Sequence, residues 1–243
     1  MTRAMVAVGT SIACCLTCTG TVRAEAQPYP ISRTFISLNA GAQPQRRTIT
    51  TSSTFSIYEE PATVTSKQPI RNGAVFDVSG GYRIWRRVAL AVGFSTFGRS
   101  SASTVAASIP DPVFFGRPKA VMSGAPDLEH VERGIHLQAV WFIPVTGKID
   151  VALSAGPSFI HVTQQLTPTV SIPANTQDVE LSPITQTGTA VGANAGFEGS
   201  YMFTPRFGAG IFVRYAGGVV DLPAASGVAV GGFRTGVGLR VRF

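Results

Sequence analysis

Past residue 18 this 243-residue sequence has no cysteine, and its three, Cys14, Cys15 and Cys18, share one apolar N-terminal stretch. Without downstream thiols the chain can build neither a disulfide framework nor a thiolate metal site there. Charge is scarce too: Asp, Glu, Lys and Arg make up 14% of residues, where soluble domains carry roughly a quarter. Lysine is nearly missing, with only Lys67, Lys119 and Lys148, so the usual Lys- and Glu-rich solvated face cannot form. No long apolar run follows the N-terminus, which excludes a membrane helix of about 20 residues from that part of the chain. The histidines, His130, His136 and His161, lack the close spacing of a zinc site.

The N-terminal run has its own meaning. "MTRAMVAVGTSIACCLTCTGTVRAEAQ" opens with basic Arg3, continues through an apolar stretch from Ala4 to about Leu16, and offers the small-x-small tripeptide Ala24, Glu25, Ala26. That is the form of a secretory signal peptide over residues 1–26, cleaved before Gln27. Lipidation at Cys14 fits less well, because Ser11 stands where leucine is preferred. Cleavage removes Arg3, Arg23 and Glu25 and so lowers the formal net charge from +7 to +6. An exported basic chain meets anionic lipid headgroups rather than nucleic acid.

Residues 27–243 read as one domain built of strands. In "GFRTGVGLRVRF" the residues Phe233, Val237, Leu239, Val241 and Phe243 share one parity, while Arg234, Gly236, Gly238, Arg240 and Arg242 share the other. Side chains on a strand alternate with period two, so one face is apolar and the other small or charged. The same alternation runs through "FGAGIFVRYAGGVVDL", "AVGANAGFEGSYMF", "IDVALSAGPSFIHV", "GIHLQAVWFI", "VALAVGFST", "AVFDVSGGYRI" and, less cleanly, "RTFISLNAGA". Glycine-rich pieces such as "GANAGFEG" lie inside these strands with no helix following, which excludes a dinucleotide loop. Eight strands result.

Their connections alternate in length. They are tight near 85–87, 144–148 and 204–206, and long near 43–69, 98–128 and 164–187. Barrels that cross an outer membrane have short turns on one side and long loops on the other. The apolar face then meets lipid, and the sheet must close because an open edge in hydrocarbon would leave unpaired N–H and C=O groups. Aromatics mark the two interfaces: Tyr82, Trp141, Tyr201, Phe203, Phe207 and Phe243 beside the tight turns, and Phe94, Phe159, Tyr215 and Phe233 toward the loops. Phe207 to Tyr215 spans about 19 Å of height at a tilt of roughly 40–45°. An eight-stranded lumen is just wide enough for side chains to fill. Glu198, Arg214, Arg234, Arg240, Asp77 and Asp150 are expected inside it as paired charges, with Glu198 against Arg214 or Arg234 first.

This pattern, with the signal peptide and the terminal aromatic Phe243, resembles the small eight-stranded outer-membrane β-barrels of Gram-negative bacteria of the OmpA, OmpX and OmpW type. The resemblance implies an all-β, antiparallel, up-and-down transmembrane barrel, with the last strand (Leu239, Val241 and Phe243) read by the outer-membrane assembly machinery. It implies a monomer in the outer membrane with a structural, surface-interaction or narrow, porin-like transport role. No C-terminal peptidoglycan-binding domain is expected, since the sequence ends with the barrel. Outer-membrane lipid and lipopolysaccharide are the expected partners, the latter through Arg46, Arg47, Arg117 and Lys119 on the long-loop side. No cofactor, metal or nucleic acid is implied. Two alternatives stand beside this reading. A soluble lipocalin-like binder would turn the apolar face inward. A lipid-modifying enzyme would need a Ser and His together on the outer face, whereas Ser158 and His161, three apart on a strand, face opposite ways.

Overall fold

The computed structural model describes residues 32–44, 47–57, 59–111, 113–171, 180–223 and 225–243. The signal-peptide segment, its cysteines and Arg46 lie outside these residues. Ten strands follow one another: β1 (Thr34–Gln43), β2 (Arg47–Ile57), β3 (Glu60–Ile70), β4 (Gly73–Arg83), β5 (Val88–Ile109), β6 (Lys119–Pro144), β7 (Ile149–Ser171), β8 (Glu180–Met202), β9 (Phe207–Leu222) and β10 (Ala225–Arg242). Eight of them, β1, β4, β5, β6, β7, β8, β9 and β10, pair antiparallel in that order. The ring closes where β10 returns to β1, with Leu38 opposite Leu239 and Ala40 opposite Val237. The pairing there is unbroken from Phe35 opposite Arg242 to Ala42 opposite Thr235, the kind of closure that hydrocarbon surroundings demand. Closure there is tight: a Cβ on Gly236 would lie 2.2 Å from the Ala40 carbonyl oxygen and 2.5 Å from Gly41 Cα, so this crossing admits only glycine.

The tight turns have a shared construction. Ile84, Val145 and Phe203 each donate a backbone N–H to the carbonyl of Val88, Ile149 and Phe207, respectively. In the second and third turns a threonine hydroxyl adds to this: Thr146 Oγ1 accepts from Lys148 and Ile149 N–H, and Thr204 Oγ1 from Arg206 and Phe207 N–H. Such Ser/Thr turns satisfy backbone donors locally and so hold a short reversal.

The apolar face of the ring points outward. Phe76, Ile211 and Phe233 are more than half exposed, whereas their chain neighbours Asp77, Phe212 and Arg234 are buried. A soluble binder has the reverse arrangement, so the lipocalin-like alternative does not describe this fold.

On the other side of the membrane the expected long loops are largely strand. The connection near 43–69 forms the β2–β3 hairpin, with Thr54 opposite Thr63. Those near 98–128 and 164–187 are continuations of β5 with β6 and of β7 with β8. These strands of 22–26 residues are about twice what a tilted bilayer crossing needs. Above the membrane β3 takes the place beside β5 that β4 holds below, pairing Thr63–Lys67 with Thr104–Ser108. The strand alternation there is weaker in apolar content, being Ser- and Thr-rich, which is why it reads as loop.

Inside, the lumen is layered. At the tight-turn end Phe35, Ala89, Ala91, Val140, Phe142 and Ala152 form an apolar floor. Phe35 and Phe142 meet edge-on with centroids 5.3 Å apart, and the Arg83 guanidinium lies 4.4 Å over the Phe142 ring. At the other end Ile49 and Ile70 of the hairpin reach in and join Phe97, Ile160, Val162 and Val228 in a second apolar cluster. Charged and amide side chains fill the space between.

Candidate functional site

The candidate site is this polar interior. Its heart is Arg214 on β9, whose Nη1 donates to Asp77 Oδ2 at 2.5 Å and whose Nη2 donates to Glu198 Oε1 at 2.9 Å. Glu198 also forms an ion pair with Arg240 at 3.2 Å. Asn39 completes the loop, donating Nδ2 to Asp77 Oδ1 at 2.9 Å and accepting from Arg240 Nη1 at 2.7 Å. Five strands, β1, β4, β8, β9 and β10, are thus tied across the barrel axis. Two carboxylates stand against two guanidiniums, so the cluster is neutral within itself. Buried charge of this kind holds only when every member is paired and hydrogen-bonded.

Next to it a chain of neutral groups runs from the Arg234 guanidinium. Arg234 Nη1 donates to Ser95 Oγ at 2.6 Å, and its Nε to Gln43 Oε1 at 3.1 Å. Ser95 Oγ lies 2.8 Å from His136 Nε2, and His136 Nδ1 lies 2.7 Å from Ser158 Oγ. Asn194 Nδ2 donates to Ser158 Oγ at 2.9 Å, and Asn194 Oδ1 accepts from Gln138 Nε2 at 2.9 Å. A serine beside a histidine suggests a nucleophile with its base. Here, however, both serines and the imidazole are buried, and both ring nitrogens are engaged by hydroxyls with no carboxylate to orient them. His161 lies on the opposite face from Ser158, exposed and hydrogen-bonded to Thr189.

Toward the hairpin a third cluster forms around Glu132. Its Oε1 accepts from Arg47 Nη2 and lies 2.9 Å from His130 Nε2, while Oε2 accepts from the Gly231 N–H at 3.0 Å. His130 Nδ1 meets Gln164 Oε1 at 2.5 Å, and Gln164 in turn donates to Gln68 Oε1 at 2.6 Å. Arg47 Nη1 also donates to the Ala229 carbonyl, and Gln43 Nε2 to the Gly231 carbonyl at 3.1 Å. Strand β10 has lost its β1 neighbour at this height, so side chains from β1, β2 and β6 supply the missing ladder bonds. Gly231 has φ of 80°, a conformation that turns its peptide toward these groups and favours glycine.

Among the residues expected in the lumen, Arg214, Arg234, Arg240 and Asp77 are buried and Glu198 is nearly so. Arg234 meets Gln43 and Ser95 rather than Glu198. Asp150 stands apart, at the tight-turn end, where it pairs with Arg242 at 2.7 Å. Tyr82, Trp141, Tyr201, Phe203, Phe207, Tyr215 and Phe233 are all exposed on the outer wall, as is Phe243. Tyr201 packs edge-on to Phe203, and Tyr215 packs against Phe233 at 5.0 Å. The Glu132 cluster lies beyond Gly134, where the expected strand begins, on the part of β6 that the alternation of "GIHLQAVWFI" does not cover. Continued by two more inward positions, the parity of Gln138 and His136 would have reached Glu132 and His130.

Residues 45–208 match the family of OmpA-like transmembrane domains. The chain belongs to that family. Among solved structures the OmpA-like chain is similar to the outer membrane protein OprG from Pseudomonas aeruginosa, at 8% identity and a TM-score of 0.50, covering 88% of this chain and 98% of that one. Neisserial surface protein A is similar at 17% identity and a TM-score of 0.43, with 86% and 97% covered. The Ail protein of Yersinia pestis is similar at 11% identity and a TM-score of 0.40, with 86% and 98% covered. These likenesses concern the fold. No match to a curated protein reaches significance. As an OmpA-like barrel the chain is a bacterial outer-membrane protein, and the filled lumen is the interior of a transmembrane wall.

Proposed function

We propose that this OmpA-like barrel is a monomeric, non-conducting and non-enzymatic outer-membrane protein, exported by a cleaved signal peptide, that anchors an extended extracellular sheet for structural or surface-interaction purposes. The observation that carries this reading is the filled lumen. Between the apolar floor and the hairpin cluster the interior is occupied by interlocked ion pairs and amides. A cavity among Ser37, Gln138, Ser154, Glu198 and Arg214 holds about 30 Å³, room for a water molecule rather than a stream of them. A narrow-transport role would need this network to part. The strands β5 to β8 and the β2–β3 hairpin offer the surface beyond the membrane, and lipopolysaccharide is the anionic partner within their reach. The last strand, with Leu239, Val241 and Phe243 outward, is the segment the assembly machinery would engage.

Planar-bilayer recording tests this directly. The folded protein is expected to show no steady unitary conductance in about 1 M KCl at moderate voltage. Discrete, long-lived conductance steps from the wild-type chain would contradict the closed lumen and favour transport.

A further inference from the structure

The tight-turn rim has a pattern that the anchoring role does not use. The residue immediately before each upward strand is basic: Arg33 before β1, Arg87 before β5, Lys148 before β7 and Arg206 before β9. All four are exposed. Each also gives its backbone carbonyl to the neighbouring strand, accepting from Arg83 N–H at 2.7 Å, Phe142 N–H at 2.7 Å, Met202 N–H at 2.8 Å and Arg242 N–H at 2.8 Å, respectively. The four cations therefore sit at equivalent, fixed stations around one mouth of the barrel. Arg86 adds a fifth exposed charge, and half-buried Arg83 and Arg242 line the same rim. Among the described residues Asp150 is its one acidic side chain, already paired with Arg242.

Charge elsewhere nearly cancels. The central lumen sets Arg214, Arg234 and Arg240 against Asp77 and Glu198, and beyond the membrane acidic and basic residues are close to balanced. The formal excess of +6 left after residues 1–26 are set aside is thus concentrated at this rim. The turns are too short to carry these residues away from the membrane. The rim adjoins Tyr82, Trp85, Trp141, Tyr201 and Phe207, aromatics of the kind that sit at headgroup depth.

We propose that this ring is a binding collar for the phosphates of anionic phospholipids in the periplasmic leaflet, which it gathers around the barrel mouth. The recognised chemistry is a phosphodiester with net negative charge and attached acyl chains. The long stems of Arg and Lys reach from the rim to the headgroup plane while the acyl chains lie along the apolar wall.

The chain carries its own reporters, because both of its tryptophans, Trp85 and Trp141, lie at this end and are exposed. The barrel would be reconstituted in equimolar phosphatidylglycerol and phosphatidylcholine vesicles, with one lipid or the other brominated to quench tryptophan. Brominated phosphatidylglycerol is expected to quench more, corresponding to at least a fivefold preference, the ratio that roughly 1 kcal/mol per basic side chain gives. In the variant Arg33→Gln, Arg86→Gln, Arg87→Gln, Lys148→Gln, Arg206→Gln the preference should drop below twofold, with quenching by brominated phosphatidylcholine retained and the folded gel band intact. Should that variant not fold, raising salt to about 1 M must collapse the wild-type preference, since the Debye length then falls to about 3 Å. Equal quenching by both lipids, or a preference that survives the substitutions or the salt, overturns the collar. Abolition of the preference by millimolar glycerol phosphate also overturns it, by assigning the ring to small free phosphates.

Discussion

Replacing Arg214 with methionine is expected to destabilise the barrel by about 3–5 kcal/mol, the cost of leaving buried carboxylates without their counter-charge. Arg214 is 2% exposed and is shared by Asp77 and Glu198, so its loss takes away the ion pair of Asp77 and leaves that carboxylate only the Asn39 amide. Urea unfolding in vesicles, followed by the change in gel mobility between folded and unfolded forms, measures this. Adding Asp77→Asn to Arg214→Met should restore at least half of the loss, because Glu198 retains Arg240. A single variant within about 1 kcal/mol of wild type would mean that the cluster is solvated, as it would be in a water-filled pore.

The second large effect concerns the outer wall. Ile211 lies four residues up β9 from Phe207, about 10 Å above the lower interface and so near the middle of an apolar band ≈ 25 Å tall. Ile211→Arg should cost about 2–4 kcal/mol in the same unfolding experiment, and Val219→Arg, higher on the same strand face, only about 0–1 kcal/mol. A flat response along the strand would place this face outside the hydrocarbon.

The depth of this wall was legible from alternation alone, because every outward position from Phe207 to Tyr215 is apolar, as the lipid of the bilayer core requires, while the inward positions, Phe212 apart, are glycine or arginine. The pairing inside was less so. Parity puts Glu198, Arg214 and Arg234 on the lumen side, but which cation meets which carboxylate depends on the stagger of the ring. That stagger brings Glu198 next to Phe212, two residues from Arg214 on the same inward face. It leaves Arg234 to Ser95 across the axis. The β2–β3 hairpin stayed hidden for a different reason. Its Thr- and Ser-rich strands lie outside the bilayer, where water can satisfy an edge and apolar alternation is no longer compulsory. Arg47 illustrates the consequence: a basic residue expected on a loop is drawn against Glu132 at a place where β10, still paired with β9, lacks its β1 neighbour.

The central claim is that the barrel is apolar outside and filled inside, and spin labels along β9 test it most directly. The chain beyond residue 18 has no cysteine, so single cysteines at positions 211 to 215 can each be labelled without background in the mature protein. In reconstituted vesicles the odd positions should be relaxed strongly by membrane-soluble oxygen and the even ones, 212 and 214, by neither oxygen nor a water-soluble nickel chelate. Even positions open to the nickel chelate, with odd positions shielded from oxygen, would contradict the account and turn its two faces around.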